Sequence, residues 1–215
     1  MIPSFDAYLF DIDGTLLDSA LDICGSVQQV LSAANADLRL SHEYLKGYIG
    51  LNLVDLFGPL FPHYSPEQID RMIQDYRAIY RARGHSQTAV FPGVAETLST
   101  LPGRKATATT KGTPTTRSVL TQFGLIQYFD HVQGTDGIPS KPAPDVLLAA
   151  LSGLAAQPAG CLMVGDSAAD MEAGRHAGVR TCAVRYGYGK PEELAKWEPD
   201  YWVSDLRELL PYSGL

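Results

Sequence analysis

Two aspartates one residue apart follow the first apolar segment of the chain. The residues from Tyr8 to Phe10 have the aromatic and aliphatic character of a buried strand, and Asp11-Ile12-Asp13 ends it before a Gly-Thr turn. Because side chains alternate along a strand, both carboxylates start from the same face. They repel each other unless a cation or a shared proton intervenes, and Mg²⁺ favours carboxylate oxygens together with water and phosphate. The pair therefore suggests a divalent-metal site, although an ordinary acidic Asp-Gly turn has the same sequence.

Three later segments carry polar residues where further strands are predicted to end. One strand finishes in Thr109 and Thr110, Lys141 stands in a proline-framed entry to a helix, and Asp166 follows a buried strand with Asp170 four residues on. Taken singly, these residues could be a helix cap, a solvated lysine and surface acids. In a parallel sheet, however, the carboxyl ends of the strands meet at one edge, where sites form. Together the segments predict one chemically active site.

The elements that position these residues change character near residue 91. From about 17 to 90 the pattern is almost wholly helical, with a capping box from Ser65 to Gln68 as its clearest helix start. Beyond it, predicted strands alternate with predicted helices. The strands are 105–109, 131–134, 161–165, 181–184 and 201–203, and the helices lie near 115–123, 145–154 and 168–177. This alternation indicates an α/β fold with a doubly wound parallel, Rossmann-like sheet. We predict a core domain formed by 1–16 and 91–215, with an inserted helical cap at 17–90.

Composition excludes several classes of function. The 24 acidic and 17 basic residues give a net charge of −7, which disfavours nucleic-acid binding through phosphates. No apolar run is long enough to cross a bilayer, so we expect no membrane association. The three cysteines lack metal-ligand spacing and favour buried thiols in a reducing compartment, which predicts a cytoplasmic protein. The sequence leaves the oligomeric state open.

The motifs as a set resemble those of the haloacid dehalogenase-like hydrolase superfamily, in particular its phosphoglycolate phosphatase-like branch. The resemblance covers nearly the whole chain. The matching segments are Asp11-Ile12-Asp13-Gly14-Thr15, Thr109, Lys141-Pro142-Ala143-Pro144-Asp145 and Gly165-Asp166-Ser167-Ala168-Ala169-Asp170, with Phe91-Pro92-Gly93-Val94 and Gly187-Tyr188-Gly189 fitting the branch. The resemblance implies a phosphatase that acts on a small phosphorylated metabolite, with phosphoglycolate as the leading candidate.

The same resemblance implies a role for each catalytic residue. Asp11 would attack phosphorus and form an aspartyl-phosphate, and Asp13 would protonate the leaving alcohol and then activate water. Lys141 would supply a fixed positive charge between Asp11 and the phosphoryl oxygens. Thr109, with Thr110 beside it, would bind the remaining phosphoryl oxygens.

A Mg²⁺ cofactor is implied at the acidic end of the site. Asp11, Asp166 and the carbonyl of Asp13 would hold the ion, and Asp170 would complete or orient its ligands. Removing the ion would leave like charges crowded together.

The sequence is compatible with other activities. The same core serves sugar-phosphate mutases and pyrophosphatases, and a non-enzymatic protein could bind a phosphorylated metabolite without turnover. The chain also departs from the Asn-Lys-Pro that relatives often carry, having Thr110-Lys111-Gly112 instead. This departure predicts a looser loop with altered contacts to the substrate. The Lys111 side chain could reach toward the cap, but we expect it to be solvated.

Overall fold

The computed structural model describes residues 2–35 and 37–211. The chain divides into two compact units, one formed by Met1–Asp18 with Ala89–Leu215 and the other by Ser19–Thr88. We call them the core unit and the inserted unit. Over the described ranges, no helix combines the length and the apolar content that a bilayer crossing requires.

The inserted unit consists of helices packed around their own apolar core. They are α1 (Ala20–Ala34), α2 (His42–Lys46), α3 (Leu53–Leu60) and α4 (Pro66–Ala82). The predicted capping box is confirmed: Gln68 N donates to Ser65 Oγ, and Ser65 N donates to Gln68 Oε1. Apolar residues recur at helical spacing on α4 and face this core, which also contains Val27, Leu31 and Phe57.

The buried Asp22 ties together segments from the two ends of the inserted unit. Its carboxylate accepts hydrogen bonds from Arg83 Nε at 3.3 Å, Gln87 N at 2.9 Å and Thr88 Oγ1 at 2.8 Å. A buried carboxylate is tolerated because charge-assisted hydrogen bonds satisfy both of its oxygens.

The core unit is built on a parallel sheet. Its strands are β1 (Ala7–Phe10), β4 (Arg104–Thr107), β5 (Cys161–Gly165), β6 (Arg180–Val184) and β7 (Tyr201–Val203), in the order β4-β1-β5-β6-β7. The chain leaves the core unit after β2 (Leu17–Asp18) and re-enters it at β3 (Ala89–Val90). These two short strands pair antiparallel. The strand order reverses at β1, so its carboxyl end and those of β4 and β5 form the topological switch point.

Helices cover both faces of this sheet, as the α/β prediction requires, and the predicted fold class is confirmed. They are α5 (Val94–Thr100), α6 (Thr113–Gln122), α7 (Asp145–Leu154), α8 (Ala168–Ala177) and α9 (Pro191–Ala195). Tyr8 and Phe10 pack with α5 and α6 on one face, whereas Ala7 and Leu9 pack with α7 and α8 on the other. The two-residue alternation of β1 thus separates two apolar layers.

One predicted strand is wrong. Residues 131–134 form only an isolated bridge, between His131 and Ala106. The reason lies in Thr107, whose Oγ1 accepts from Gln133 N and donates to Gln133 O, both at 2.8 Å. This hydroxyl takes up the backbone groups that a regular ladder would have paired. The strand predicted at 105–109 also ends earlier, at Thr107, which leaves Thr109 in the following loop.

Candidate active site

Three buried carboxylates lie at the carboxyl ends of β1 and β5. Asp11 follows β1, Asp166 follows β5 and Asp170 lies in the first turn of α8, and each is exposed by 3% or less. One oxygen from each lies within 4.8 Å of the others. Asp11 and Asp166 meet because β1 and β5 are adjacent parallel strands, with Phe10 paired to Val164.

Lys141 joins two of these carboxylates. Its Nζ lies 2.7 Å from Asp11 Oδ1 and 2.5 Å from Asp170 Oδ1, and it donates to the Ala108 carbonyl at 2.9 Å. Lys141 precedes α7, on the face of the sheet to which Leu9 points, and continued alternation carries Asp11 to the same side. Burial alone would lower the pKa of Lys141, but the charges of Asp11 and Asp170 outweigh it and raise that pKa, so the ammonium stays charged.

Asp166 is held on both oxygens. Thr15 Oγ1 donates to Oδ1 at 3.1 Å and the Tyr188 backbone N–H donates to Oδ2 at 2.7 Å. Burial, and then the negative charges of Asp170 and Asp11, raise the pKa of Asp166 to about 8. The two hydrogen bonds oppose this shift without cancelling it.

Backbone glycines enclose Asp166 closely. A Cβ at Gly187 would overlap the Asp166 side chain, and one at Gly189 would overlap the Asp166 carbonyl. A Cβ at Gly14 would overlap the Asp166 carboxylate, and Gly14 also has a φ of +89° that favours glycine. The backbone of Gly187-Tyr188-Gly189 therefore packs directly against Asp166.

Asp170 has a second function in the local fold. The Ser167 N–H donates to Asp170 Oδ2 at 2.9 Å, the Ser167 hydroxyl donates to it at 2.7 Å, and Ser167 Oγ accepts from the Asp170 N–H. This reciprocal cap fixes the start of α8 and aims Oδ1 of Asp170 toward Lys141.

The donor set fits a hard divalent cation. The three carboxylates lie close together, and the Lys141 ammonium contacts two of them. Negative charge is therefore in excess when all three are ionised. For Asp11, burial raises the pKa to about 6 even though Lys141 lowers it. Oxygen ligands in excess over positive charge suit Mg²⁺ or a similar ion. Among the described residues, Asp11, Asp166 and Asp170 can hold it, while ligation by the Asp13 carbonyl stays a prediction.

Asp13 forms an ion pair with Lys111, a residue that was expected to be solvated. Lys111 Nζ lies 3.0 Å from Asp13 Oδ2, and its side chain is only 9% exposed. The predicted solvated position of Lys111 is therefore wrong. The site holds two lysines, with Lys141 on Asp11 and Lys111 on Asp13.

The loop that carries Lys111 is firmly held rather than loose. Gly134 packs so closely on the Lys111 carbonyl that a Cβ there would overlap it, and the Thr135 N–H donates to that carbonyl at 3.1 Å. The Thr113 N–H, at the start of α6, donates to Asp136 Oδ2 at 2.8 Å. These contacts replace the stiffness that a proline would have given.

Thr109 and Thr110 lie in the loop after β4, at the same edge of the sheet. Thr109 is 1% exposed and its carbonyl accepts from Thr135 Oγ1 at 3.1 Å, while Thr110 is partly exposed. The neighbouring Ala108 pairs its N–H with the Phe10 carbonyl at 2.8 Å. The structure thus places both threonines beside the end of β1, and their part in phosphate binding stays a prediction.

Two tyrosines, whose contacts the sequence did not indicate, fasten the segment after Asp13. Tyr186 Oη donates to the Thr15 carbonyl at 2.8 Å, and Tyr188 Oη donates to Asp18 Oδ1 at 2.9 Å. Burial raises the pKa of Tyr186, so its hydroxyl remains a donor. In the sequence, the only indication of these contacts is that two tyrosines flank Gly187.

The family model for haloacid dehalogenase-like hydrolases matches residues 8–184, a span that contains Asp11, Asp13, Lys141, Asp166 and Asp170. The chain belongs to this family. The predicted resemblance is thereby confirmed.

Named relatives and solved structures match over nearly the whole chain. Pyrophosphatase PpaX of Halalkalibacterium halodurans is 31% identical over 216 aligned residues, covering 96% of each chain. The phosphoglycolate phosphatase of Vibrio vulnificus is 32% identical, covering 94% of this chain and 92% of the relative. A haloacid dehalogenase-like family hydrolase of known structure from Streptococcus pneumoniae is 26% identical, with a TM-score of 0.85, covering 95% of this chain and 96% of the other.

Proposed function

We propose that this hydrolase is a Mg²⁺-dependent phosphatase that releases phosphate from a small phosphorylated metabolite through an aspartyl-phosphate. The observation that carries the proposal is the division of charge around two neighbouring aspartates. Asp11 lies among a lysine and two further carboxylates, whereas Asp13, two residues on, faces a different lysine. We assign the role of nucleophile to Asp11 and the role of acid and base to Asp13.

Asp11 is the nucleophile in this mechanism. Its carboxylate attacks phosphorus, the bond to the leaving oxygen breaks, and the phosphoryl group becomes bound to Asp11. Lys141, 2.7 Å away, holds this carboxylate in place and offsets the charge of the phosphoryl oxygens. Thr109, Thr110 and backbone N–H groups of the loop after β4 bind those oxygens.

Asp13 serves the leaving group. It donates a proton to the departing oxygen in the first step and removes a proton from the attacking water in the second. A bound Mg²⁺ would neutralise negative charge on the phosphoryl group and on the carboxylates. Asp11, Asp166 and the carbonyl of Asp13 would hold the ion, and Asp170 would orient it while aligning Lys141.

Two substrates follow from the relatives. They are phosphoglycolate, which the sequence motifs make the leading candidate, and pyrophosphate, and proteins named for each are about equally similar to this chain. We place the reaction in the cytoplasm, a location that the three free, buried thiols support.

The test is phosphate release in Mg²⁺ from a panel containing phosphoglycolate, pyrophosphate and several sugar phosphates, with Asp11→Asn alongside. Turnover of phosphoglycolate that is lost in the variant supports the proposal. Full turnover by Asp11→Asn contradicts the assignment of the nucleophile. Isomerised sugar phosphate in place of free phosphate points to a mutase, and tight binding without turnover points to a binding protein.

A further inference from the structure

Lys141 and Lys111 lie on different sides of the site, because each contacts a different aspartate. Lys141 contacts Asp11, the residue that attacks phosphorus in the proposed mechanism, and so lies on the phosphoryl side. Lys111 contacts Asp13, the residue that protonates the leaving oxygen, and so lies on the leaving-group side. The phosphoryl group is already served by Lys141 and a metal site. The charge of Lys111 is therefore directed at the rest of the substrate.

We propose that Lys111 binds a second anionic group of the substrate, close to the scissile bond. This inference rests on the proposed function. The group is a carboxylate or a second phosphoryl group, and the substrate class is a phosphate compound whose leaving part is itself anionic. Lys111 is then a specificity-determining residue.

The contacts around Lys111 suit this task. Its side chain is 9% exposed and that of Asp13 is 11% exposed, so the pair is largely shielded from water. Its carbonyl is fixed by Thr135 N at 3.1 Å and by the close approach of Gly134. A shielded ammonium attracts an anion more strongly than a solvated one does, and its three donors can serve two anions together. Lys111 can hold the second anion while it remains beside Asp13.

The position of Asp13 limits how far away that anion can be. Because Asp13 must reach the leaving oxygen, its partner Lys111 lies near the same oxygen. Glycolate places its carboxylate one carbon from the ester oxygen, and pyrophosphate places a second phosphorus directly on it. Both anions fall in this neighbourhood. An ester with an uncharged leaving part gives Lys111 no such partner.

A matched pair of substrates isolates this charge. Phosphoglycolate and 2-hydroxyethyl phosphate share their phosphoryl group and chain length and differ in whether the far end is a carboxylate or an alcohol. The experiment measures kcat/KM for both in Mg²⁺ with the wild type, Lys111→Met, Lys111→Arg and the control Lys196→Met. Lys196 is an exposed lysine at the end of α9, so its substitution removes the same charge away from the site.

We expect the wild type and Lys196→Met to prefer phosphoglycolate strongly. Lys111→Met should lower the ratio of the two kcat/KM values by roughly 10- to 100-fold, the range for losing a charged hydrogen bond. Lys111→Arg, which keeps the charge, should retain most of the ratio. If Lys111→Met does not fold, Lys111→Gln replaces it, because it keeps a polar side chain of similar reach.

Two outcomes overturn the inference while leaving the proposed function intact. One is a wild type that hydrolyses both esters equally well. The other is a Lys111→Met, or in its place Lys111→Gln, whose ratio equals that of the wild type. Failure of the proposed function is distinguishable, since the wild type would then release no phosphate from either ester or from pyrophosphate.

Discussion

The stabilisation of this protein by Mg²⁺ should depend on pH in a way set by the crowded carboxylates. Burial raises the pKa of Asp11 to about 6 and of Asp166 to about 8, both above their values in an unfolded chain. A raised pKa means that these groups favour the fold when protonated. Their contribution is complete at acid pH and is lost as the pH rises through the folded values. The melting temperature of the metal-free protein should therefore fall as the pH rises from about 4, near the ordinary pKa of an aspartate, to about 8, the folded pKa of Asp166.

Mg²⁺ should reverse this loss, and most strongly where the carboxylates are ionised. At about pH 9 and a concentration about 100 times the dissociation constant, binding to the native state adds roughly 2.7 kcal/mol. For a chain of 215 residues this corresponds to roughly 5 to 10 °C. At about pH 6 a proton on Asp166 weakens the apparent affinity about 100-fold, since each pH unit below the pKa costs about a factor of ten. The same Mg²⁺ concentration then adds only about 0.4 kcal/mol, or roughly 1 to 2 °C.

Differential scanning fluorimetry with chelated protein, with and without added Mg²⁺, measures both shifts. Asp166→Asn should lose the shift at both pH values. Asp70→Asn makes the same chemical change at an exposed position of α4 and should leave the shift unaltered. Equal shifts at the two pH values would refute the reasoning from the carboxylates, and no shift at either would refute the metal site itself.

Three further perturbations probe the packing of the site and of the inserted unit. Lys141→Met leaves the two carboxylates it bridges buried without their cation, so chemical denaturation should show a loss of about 3 to 5 kcal/mol and phosphate release should be abolished. Gly187→Ala forces a Cβ into the side chain of Asp166, so it should cost about 1 to 3 kcal/mol and weaken Mg²⁺ binding in a fluorescence titration. Gly58→Ala, in α3 with nothing within 4 Å, should instead stabilise the protein by up to about 1 kcal/mol. Asp22→Ala removes the partner of Arg83 and should cost about 3 kcal/mol, with hydrogen exchange rising first in residues 83–88, and unchanged exchange there would argue against this link.

Much of the fold could be predicted because its signals are local. The buried strand Cys161–Gly165 and the helices Asp145–Leu154 and Ala168–Ala177 are observed as predicted. Apolar runs and helix-start residues specify such elements without help from distant parts of the chain. The strand predicted at 131–134 fails because the hydroxyl of Thr107, 26 residues away from Gln133, takes up its backbone groups.

The site shows the same distinction. The carboxylates could be predicted because each follows an apolar strand or opens a helix. Lys111 could not, since its ion pair with Asp13 joins residues far apart in sequence and a lysine is usually solvated. The glycines around Asp166 were visible as a pattern, but the overlap that a Cβ would cause depends on chain packing that only the structure contains.

The most direct test of the central claim is to find the phosphoryl group on the protein. Asp13→Asn should slow hydrolysis of the aspartyl-phosphate, while p-nitrophenyl phosphate, whose leaving group needs no proton, should still load it. The variant is mixed with this ester in Mg²⁺, quenched in acid and analysed by peptide mass spectrometry. We predict a phosphoryl mark on Asp11 that is absent when Asp11 is also replaced by Asn. A mark on another residue, or its persistence in that double variant, would contradict the account.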